Sequence, residues 1–294
     1  MLSLREALTR ATDQLSANPL LSATALADAA LLLMHTLGIE RSTLIAHPER
    51  LMDREQQRVY QRLIERRLSF EPVQYITGVQ EFYGLQFRVT PAVLIPRPET
   101  ELLVEAVLAR LPADRSLRIV DVGTGSGAIA IALAVHLPLA YVTAIDLSLP
   151  ALSIAQQNVA SHHCGDRIRV VESDLLLALE DEQPFDAIVS NPPYVAEEDA
   201  PTLHPQVRDH EPASALFAGA SGLDIYRRLI PQAERLLKPG GLLALEFGYG
   251  QADSIRTLLE TWNGTTLLDD LQAIPRIALA TRAPGATYKP AYQS

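Results

Sequence analysis

The residues best suited to chemistry in this sequence stand at the ends of short apolar runs. Asn191 follows the run Phe185–Ser190 and precedes Pro192, Pro193 and Tyr194. Proline has no amide hydrogen to donate to a sheet, so the two prolines end any strand that begins at Phe185. A strand that stops at an amide side chain before a rigid backbone indicates a binding role for that amide. The simpler alternative is a turn that only terminates the strand.

A glycine-rich turn follows an earlier apolar run, Leu117–Val122. Alternating glycines permit a tight turn and let a ligand approach bare backbone. The pattern also fits the dinucleotide fingerprint G-x-G-x-x-A, with Asp146 following about 20 positions on. The turn therefore predicts a cofactor site without identifying the cofactor. Its residues are Asp121, Val122, Gly123, Thr124, Gly125, Ser126 and Gly127.

Two acidic residues end the next two apolar runs. Asp146 closes the run YVTAID, where a carboxylate can accept both hydroxyls of a ribose; the alternative is a helix N-cap. Asp174 follows the run IRVVE, where an adenine amino group could lie; the alternative is an acid that is only solvated. We expect both carboxylates near the glycine turn.

The elements that position these residues form an alternating pattern from Leu117 onward. Strands that alternate with helices predict a parallel sheet with helices on both faces. Ligands of such sheets lie outside the carboxyl ends of the strands, so the glycine turn, both acids and Asn191 are expected at one edge. Residues 265–271 and 276–282 are the last two strand candidates.

The earlier part of the chain has a different pattern. Residues 1–75 contain only amphipathic helix patterns and predict a small all-helical domain. Residues 76–96 contain Gly78 and Gly84 between β-rich runs and predict a hairpin linker, before a helix that starts near Pro98. A catalytic domain is expected over residues 97–283, and residues 284–294 are expected to be a poorly ordered C-terminal tail.

Composition limits the function classes. The 294 residues carry a formal net charge of −10, which argues against nonspecific binding to nucleic acid. A single cysteine, Cys164, excludes an intrachain disulfide and favours the cytoplasm. The first residues lack the features of a secretory signal, and no apolar run is long enough for a transmembrane helix. His162, His163 and Cys164 share one short loop, so no metal site is expected.

The glycine turn and the two acids resemble class I S-adenosylmethionine-dependent methyltransferases over about Leu117 to Arg282. This resemblance implies a Rossmann-like, seven-stranded sheet with a final antiparallel strand. It places the glycine loop against the methionine portion of S-adenosylmethionine, and Asp146 on the ribose. It also implies that Asp174 and Leu175 line the adenine pocket, where many relatives have an aromatic residue instead of Leu175. The product of such an enzyme is S-adenosylhomocysteine.

Asn191-Pro192-Pro193-Tyr194 resembles the (D/N/S)-P-P-(Y/F/W) motif of methyltransferases that modify planar nitrogens. Such a nitrogen is a poor nucleophile because its lone pair is delocalised, as in a peptide bond. The Asn191 side-chain oxygen and the Pro192 carbonyl can accept its two N–H groups and orient the lone pair. Tyr194 supplies a flat wall. Glutamine amides, adenine N6 and guanine N2 all fit, so the motif leaves the acceptor open.

The flanking segments resemble the release-factor glutamine methyltransferases, the PrmC/HemK family. The similarity covers residues 72–105, the helical N-terminal region, and the segments VRDHEP, GLDIYRRL and GGLLALEFGYGQ. It implies methylation of the glutamine in the GGQ motif of peptide chain release factors. It further implies a helical domain that recognises this substrate. We also expect a monomer and, from the net charge of −10, no direct nucleic-acid contact.

The segment RPETE distinguishes this family from a sister family that acts on a ribosomal protein. It places Arg97 and Glu99 near the active-site mouth and the substrate; the alternative is a salt-bridged helix start. Two other functions stay open. A nucleic-acid adenine methyltransferase would need a basic recognition region, and the net charge of −10 and the missing target-recognition domain count against it. A dinucleotide-dependent oxidoreductase or a noncatalytic binding module is the second alternative.

Overall fold

The computed structural model describes residues 1–284 and divides them into two compact units. One unit contains Met1–Val79 together with His204–His210. The other contains Gln80–Leu203 and the chain from Glu211 onward. Apart from Pro284, the predicted C-terminal tail lies outside the described residues.

The described residues form the following elements in chain order. The helices are α1 (Leu4–Ser16), α2 (Ala25–Leu37), α3 (Arg41–Ala46), α4 (Arg54–Leu68), α5 (Val73–Thr77), α6 (Pro98–Leu108), α7 (Ala128–His136), α8 (Leu149–Ser161), α9 (Pro205–Arg208), α10 (Asp224–Leu236) and α11 (Ala252–Leu258). The strands are β1 (Val79–Phe82), β2 (Leu85–Arg88), β3 (Leu117–Val122), β4 (Ala140–Asp146), β5 (Ile168–Glu172), β6 (Phe185–Ser190), β7 (Leu237–Glu246), β8 (Asn263–Asp269) and β9 (Pro275–Thr281). Within this part of the chain no helix has the length and apolarity needed to cross a membrane.

The helical unit is organised by caps and a small core. Ser3 and Asp53 form capping boxes at the starts of α1 and α4, which satisfy free amide groups there. Gly38, with φ of 60°, ends α2 as its sequence predicts. The apolar stripes of α1, α2 and α4 are buried against one another. Between α2 and α4, Arg67 Nε lies 2.7 Å from Asp28 Oδ2, so this buried charge is paired.

A two-residue turn joins β1 and β2. Tyr83 and Gly84 occupy it, with φ of 52° and 72°. Two successive residues with positive φ are what a type I′ hairpin turn requires. The Glu101 side chain accepts a 2.8 Å hydrogen bond from the Tyr83 amide and holds the turn against α6.

The main sheet has seven strands in the order β5-β4-β3-β6-β7-β9-β8. The first five strands in this order, β5, β4, β3, β6 and β7, each pair in parallel with the next. Strand β9 is antiparallel to both β7 and β8. The predicted Rossmann-like, seven-stranded fold is confirmed, including its antiparallel closing strand. From β3 the chain first adds β4 and β5 on one side and then adds β6 and β7 on the other side. The strand order therefore reverses between β3 and β6, and a ligand site is expected at the carboxyl ends of these two parallel strands.

Both faces of this sheet are covered, as the alternating pattern predicts. Successive residues of β3 point to opposite faces: Ile119 packs with α6 and α7, while Val120 packs with α10. All side chains of α7 from Ala128 to Ala134 are buried, which explains why this helix has no polar face.

The segment Lys238, Pro239, Gly240 and Gly241, at the junction of α10 and β7, has the composition of a turn after a helix, but it lies in a strand. Helix α10 ends at Leu236, and these four residues belong to β7. The register shifts where β6 and β7 pair, so the strand accommodates extra residues as a bulge. Lys238 Nζ is held there by both oxygens of Asp186, each at 2.8 Å.

Candidate functional site

A cavity of about 420 Å³ lies in the second unit, at the carboxyl ends of β3, β4 and β6. The parallel strands bring residues that are far apart in sequence to this one edge. Ser190 Oγ at the end of β6 donates a 2.8 Å hydrogen bond to the carbonyl of Val122 at the end of β3. Of the predicted site residues, those that line the cavity are Gly123, Gly125, Asp146, Asp174, Leu175, Asn191, Pro192 and Pro193.

The glycine loop between β3 and α7 presents backbone to this cavity. Gly123 and Gly125 have φ of 70° and 55°, and a Cβ added to either would meet nothing within 4 Å. Their need for glycine therefore comes from the left-handed backbone and not from crowding by the protein. The loop is pinned to β4 by the Thr124 amide, which donates 2.8 Å to the carbonyl of Ile145.

Asp121 shapes this loop from below and does not line the cavity. Its Oδ2 accepts hydrogen bonds from Thr124 Oγ1 at 2.6 Å and from the Ala130 amide at 3.1 Å. Burial raises the pKa of Asp121 to about 7. Thr124, Ser126 and Gly127 likewise lie outside the cavity lining, so the cavity gives no support for a direct cofactor contact by any of these four residues.

Asp146 lies at the end of β4 and joins the glycine loop to the next helix. Its Oδ2 accepts from the Gly125 amide and its Oδ1 from the Ser148 amide, both at 2.9 Å. Ser148, and not Asp146, is the N-cap of α8. Each carboxylate oxygen has a further lone pair for a ligand hydroxyl. Burial raises the pKa of Asp146.

The other side of the cavity carries Asp174 and Leu175. Asp174 Oδ2 lies 2.6 Å from Arg228 Nη2, and both side chains are partly exposed. Leu175 adopts a φ of 53°, which is uncommon for a residue with a side chain. Arg228 and Ile225 on α10 also line the cavity; both belong to the segment GLDIYRRL, but the sequence did not indicate that they are part of the site.

Asn191 stands at the end of β6 with its amide group anchored on one side. Its Nδ2 donates a 2.9 Å hydrogen bond to Oγ1 of Thr100, a buried residue in the first turn of α6. The NH2 end of the side chain is thereby engaged by the protein, which leaves Oδ1 as its free acceptor. Pro192 has no backbone N–H, so its carbonyl is the polar group that this residue offers.

Glu246 ends β7 beside Asn191. Because Ser190 and Leu245 are partners in the β6–β7 register, the residues that follow them are neighbours at the sheet edge. Glu246 is 2% exposed, and its Oε2 has no hydrogen-bond partner among the described residues. Burial raises the pKa of Glu246 to about 7, while hydrogen bonds from Thr100 and Asn191 oppose this shift. Its signal in the sequence is one acid in the apolar run LLALEFG.

Tyr194 packs away from the cavity. A Cβ built on Gly248 would lie 2.9 Å from Tyr194 Cδ2, so the ring covers bare backbone there. The Tyr194 carbonyl accepts a 3.0 Å hydrogen bond from Gln251 Nε2. Burial raises the pKa of the Tyr194 hydroxyl to about 12. Its predicted role as a wall for the acceptor is not visible in the cavity lining.

Arg97 and Glu99 lie at the start of α6 and do not line the cavity. Arg97 Nη2 lies 2.5 Å from Oε1 of Glu211, whose side chain is fully buried. Glu211 Oε2 also accepts from the Ile95 amide at 3.3 Å. The ion pair therefore joins the helix start to the chain beyond the Asn191 loop, and Glu211 is a partner that the sequence did not indicate.

The cavity suits a nucleoside cofactor with an attached amino acid. It offers bare glycine backbone at Gly123 and Gly125, a carboxylate for hydroxyl groups at Asp146, and an apolar wall that includes Ile145 and Leu175. These residues would hold S-adenosylmethionine. In the part of the chain that the structure covers, no group of three or more His, Cys, Asp or Glu is placed to hold a metal ion.

Comparison with known proteins identifies the family of this chain. Residues 6–78 match the family model described as PrmC N-terminal domain, and residues 98–207 match the one described as Methyltransferase small domain. A release factor glutamine methyltransferase of Koribacter versatilis is 46% identical, over 86% of this chain and 90% of its own length. One from Coxiella burnetii is 42% identical, over 96% of this chain and 100% of its own. This chain belongs to the release factor glutamine methyltransferase family.

Solved structures agree with the family on the fold. The T. thermophilus 16S rRNA N2 G1207 methyltransferase, in complex with AdoMet and guanosine, superposes with a TM-score of 0.53 at 23% identity. That alignment covers 69% of this chain and 49% of the other. A methyltransferase from Pyrococcus furiosus gives a TM-score of 0.50 at 17% identity, over 69% and 91% of the two chains. The class I methyltransferase fold predicted from the sequence is confirmed, and so is the predicted family.

Proposed function

We propose that this enzyme transfers a methyl group from S-adenosylmethionine to the side-chain amide nitrogen of the glutamine in the GGQ motif of release factors, in support of translation termination. One observation carries the proposal. Asn191 and Pro192 line the cavity beside the glycine loop, with the NH2 end of Asn191 already bonded to Thr100. We infer that the free acceptors of this pair, Asn191 Oδ1 and the Pro192 carbonyl, bind the two N–H groups of a primary amide.

The two acceptors orient the substrate nitrogen. A glutamine amide has two N–H donors and a delocalised lone pair. When Asn191 Oδ1 and the Pro192 carbonyl accept these hydrogens, the nitrogen is fixed and the positive charge that develops on it is stabilised. S-adenosylmethionine, when bound, supplies an electrophilic methyl group on a positively charged sulfur. Asp146 and the glycine loop are proposed to hold that cofactor. The bond from the methyl group to sulfur breaks as the bond to nitrogen forms, and the methylated nitrogen then loses one proton to solvent. The products are S-adenosylhomocysteine and the N-methylated amide.

The substrate class rests on the family. The relatives from Koribacter versatilis and Coxiella burnetii match over 90% and 100% of their own lengths, and residues 6–78 match the PrmC N-terminal domain model. We assign recognition of the release factor to the helical domain, residues 1–75, and methyl transfer to residues 97–283. Residues 76–96 would act as the linker. The net charge of −10 supports a protein partner without direct nucleic-acid contact. A monomer in the cytoplasm, where release factors act, completes the proposal.

A methyl-transfer assay tests this function. The enzyme is incubated with methyl-labelled S-adenosylmethionine and a bacterial release factor, or with the same factor in which the GGQ glutamine is changed to alanine. We expect label on the unchanged factor only, and mass spectrometry should place one added CH2 on that glutamine. Equal labelling of both factors, or of neither while the cofactor still binds, would overturn the assignment of the substrate.

A further inference from the structure

The side chain of Asn191 has an orientation problem that the cavity alone does not solve. The oxygen and NH2 ends of an asparagine have nearly the same shape, but only the oxygen end can accept N–H groups of a substrate amide. If the side chain turned over, the NH2 group of Asn191 would face the NH2 group of the substrate, and neither could accept a hydrogen bond from the other. The groups behind Asn191 must therefore decide which end points outward.

The groups behind Asn191 are Thr100 and Glu246. Thr100 Oγ1 accepts the 2.9 Å hydrogen bond from Asn191 Nδ2, and both side chains lie beside the Glu246 carboxyl group, where they stabilise its negative charge. Glu246 is 2% exposed and has one oxygen without a partner among the described residues. An ionised carboxylate only accepts hydrogen bonds, so Thr100 and Asn191 must both direct N–H or O–H groups toward it.

We propose that ionised Glu246, acting with Thr100, is the positioning residue that keeps Oδ1 of Asn191 directed to the substrate nitrogen. This inference rests on the proposed function. The Thr100 hydroxyl gives its one hydrogen to the carboxylate and so must accept from Asn191. A protonated Glu246 becomes a donor itself, and Asn191 then gains a hydrogen bond by turning its oxygen inward. The substrate amide loses an acceptor in that state.

The surroundings of Glu246 set the pH at which this change occurs. Burial raises the pKa of Glu246 to about 7, and the carboxylate of Glu99 on α6 raises it further. The guanidinium of Arg276 on β9, itself 3.2 Å from Asp270, opposes this shift. Two other titratable groups face this site, the hydroxyls of Tyr194 in the loop after β6 and of Tyr226 on α10. Burial raises the pKa of both hydroxyls, so both stay neutral.

Kinetics over a pH series test the proposal. Release-factor methylation is measured between about pH 5.5 and about pH 8.5 for the wild type, and kcat is expected to fall roughly tenfold per unit below pH 7. Glu246→Gln should have a kcat roughly 10- to 100-fold lower at pH 8, with no decline toward acid, and an S-adenosylhomocysteine Kd within about twofold of wild type. Arg276→Gln should keep the plateau and move the midpoint to higher pH.

A readout without turnover separates this proposal from the proposed function. In selectively labelled protein, the Asn191 side-chain NH2 protons should show an NMR contact to the Thr100 methyl above pH 7 and lose it in acid. This contact does not depend on the substrate. The positioning role is overturned if the contact persists unchanged through that range, or if Glu246→Gln retains the wild-type kcat and pH profile. No methyl transfer by the wild type at any pH, with the contact behaving as expected, would overturn only the release-factor substrate.

Discussion

At the scale of the residue, Asn191 is the side chain whose loss should separate catalysis from cofactor binding. We expect Asn191→Ala to reduce kcat roughly 10²- to 10³-fold, because one preorganised partner of the reacting nitrogen is removed. The glycine loop and Asp146 keep their hydrogen bonds, so the Kd for S-adenosylhomocysteine should change little. Steady-state kinetics and titration calorimetry measure both. Retention of turnover would contradict the assignment of Asn191 as the amide acceptor.

Asp146 should show the opposite behaviour. Asp146→Ala removes a ligand acceptor and also frees the amides of Gly125 and Ser148, which it holds at 2.9 Å. Hydrogen bonds to charged groups contribute about 1.5–3 kcal/mol, so cofactor affinity should weaken roughly 10- to 100-fold. Asp253→Ala is the matched comparison, because Asp253 does not line the cavity and its exposed ion pair with Arg256 contributes little. An unchanged Kd in Asp146→Ala, measured by calorimetry, would argue against the ribose contact.

Single residues differ in how far the sequence predicts them. Asn191 and Asp146 each end an apolar run, so their place at the sheet edge follows from the strand pattern alone. Thr100 and Glu246 join the site through contacts between segments far apart in the chain, as in the bond from Asn191 to Thr100. No local pattern specifies such a partner. The one available signal was an acid in the otherwise apolar run LLALEFG, where an unpaired charge would be costly.

At the scale of the element, the loop after Asn191 depends on a close approach at Gly222. A Cβ on Gly222, which has a φ of 68°, would lie 2.2 Å from the carbonyl oxygen of Tyr194. Gly250 is a matched control, because it has a φ of 79° and nothing within 4 Å of its Cβ position. Both Gly→Ala changes incur backbone strain of about 1–2 kcal/mol, and only Gly222→Ala adds an overpacking cost of about 1–3 kcal/mol.

The free energy of unfolding from urea titrations should therefore be lower for Gly222→Ala than for Gly250→Ala. The kcat of Gly222→Ala should also fall, since the clash pushes on the backbone three residues after Asn191. The kcat of Gly250→Ala should stay close to that of the wild type. Equal effects of both changes on stability and kcat would show that the close contact is relieved without moving the loop.

Element ends follow the sequence where a local rule applies. Gly38 ends α2 and Pro98 starts α6, as glycine and proline preferences predict. The end of α10 did not follow the pattern. Its Lys-Pro-Gly-Gly segment has the composition of a turn, but backbone hydrogen bonds of Gly240 and Gly241 with Arg282 and the Lys238–Asp186 ion pair hold it in β7. Tertiary contacts thus override local preference there.

At the scale of the whole molecule, chain connectivity links the Asn191 loop to the helical unit. The segment His204–His210 belongs to that unit, while the chain on either side of it belongs to the catalytic unit. His210 Nε2 lies 2.9 Å from the Ser69 carbonyl, and the ring of His204 packs edge-on against Phe70. The chain then returns to Glu211, which pairs with Arg97. No pattern in the sequence indicates that His204–His210 belongs to the helical unit.

Whole-molecule stability should depend on pH through the buried carboxyl groups of the catalytic unit. Burial raises the pKa values of Asp121 and Glu246 to about 7, and it raises that of Asp146 as well. In the unfolded chain these groups titrate near pH 4. Between about pH 4 and about pH 7 the folded state therefore binds more protons than the unfolded state, and the free energy of unfolding falls as the pH rises.

Each such group contributes a slope of up to about −1.4 kcal/mol per pH unit in this window. Groups whose pKa values are lowered, such as Glu71 beside Arg66, act in the opposite direction but at lower pH. In Asp121→Asn the unfolding free energy should fall less steeply between about pH 5 and about pH 7, because the amide does not titrate. The slope should lose the contribution of one carboxyl group, up to about 1.4 kcal/mol per pH unit. Urea titrations at several pH values measure this slope. A slope equal to that of the wild type would mean that Asp121 titrates normally and that its burial is offset by hydrogen bonds.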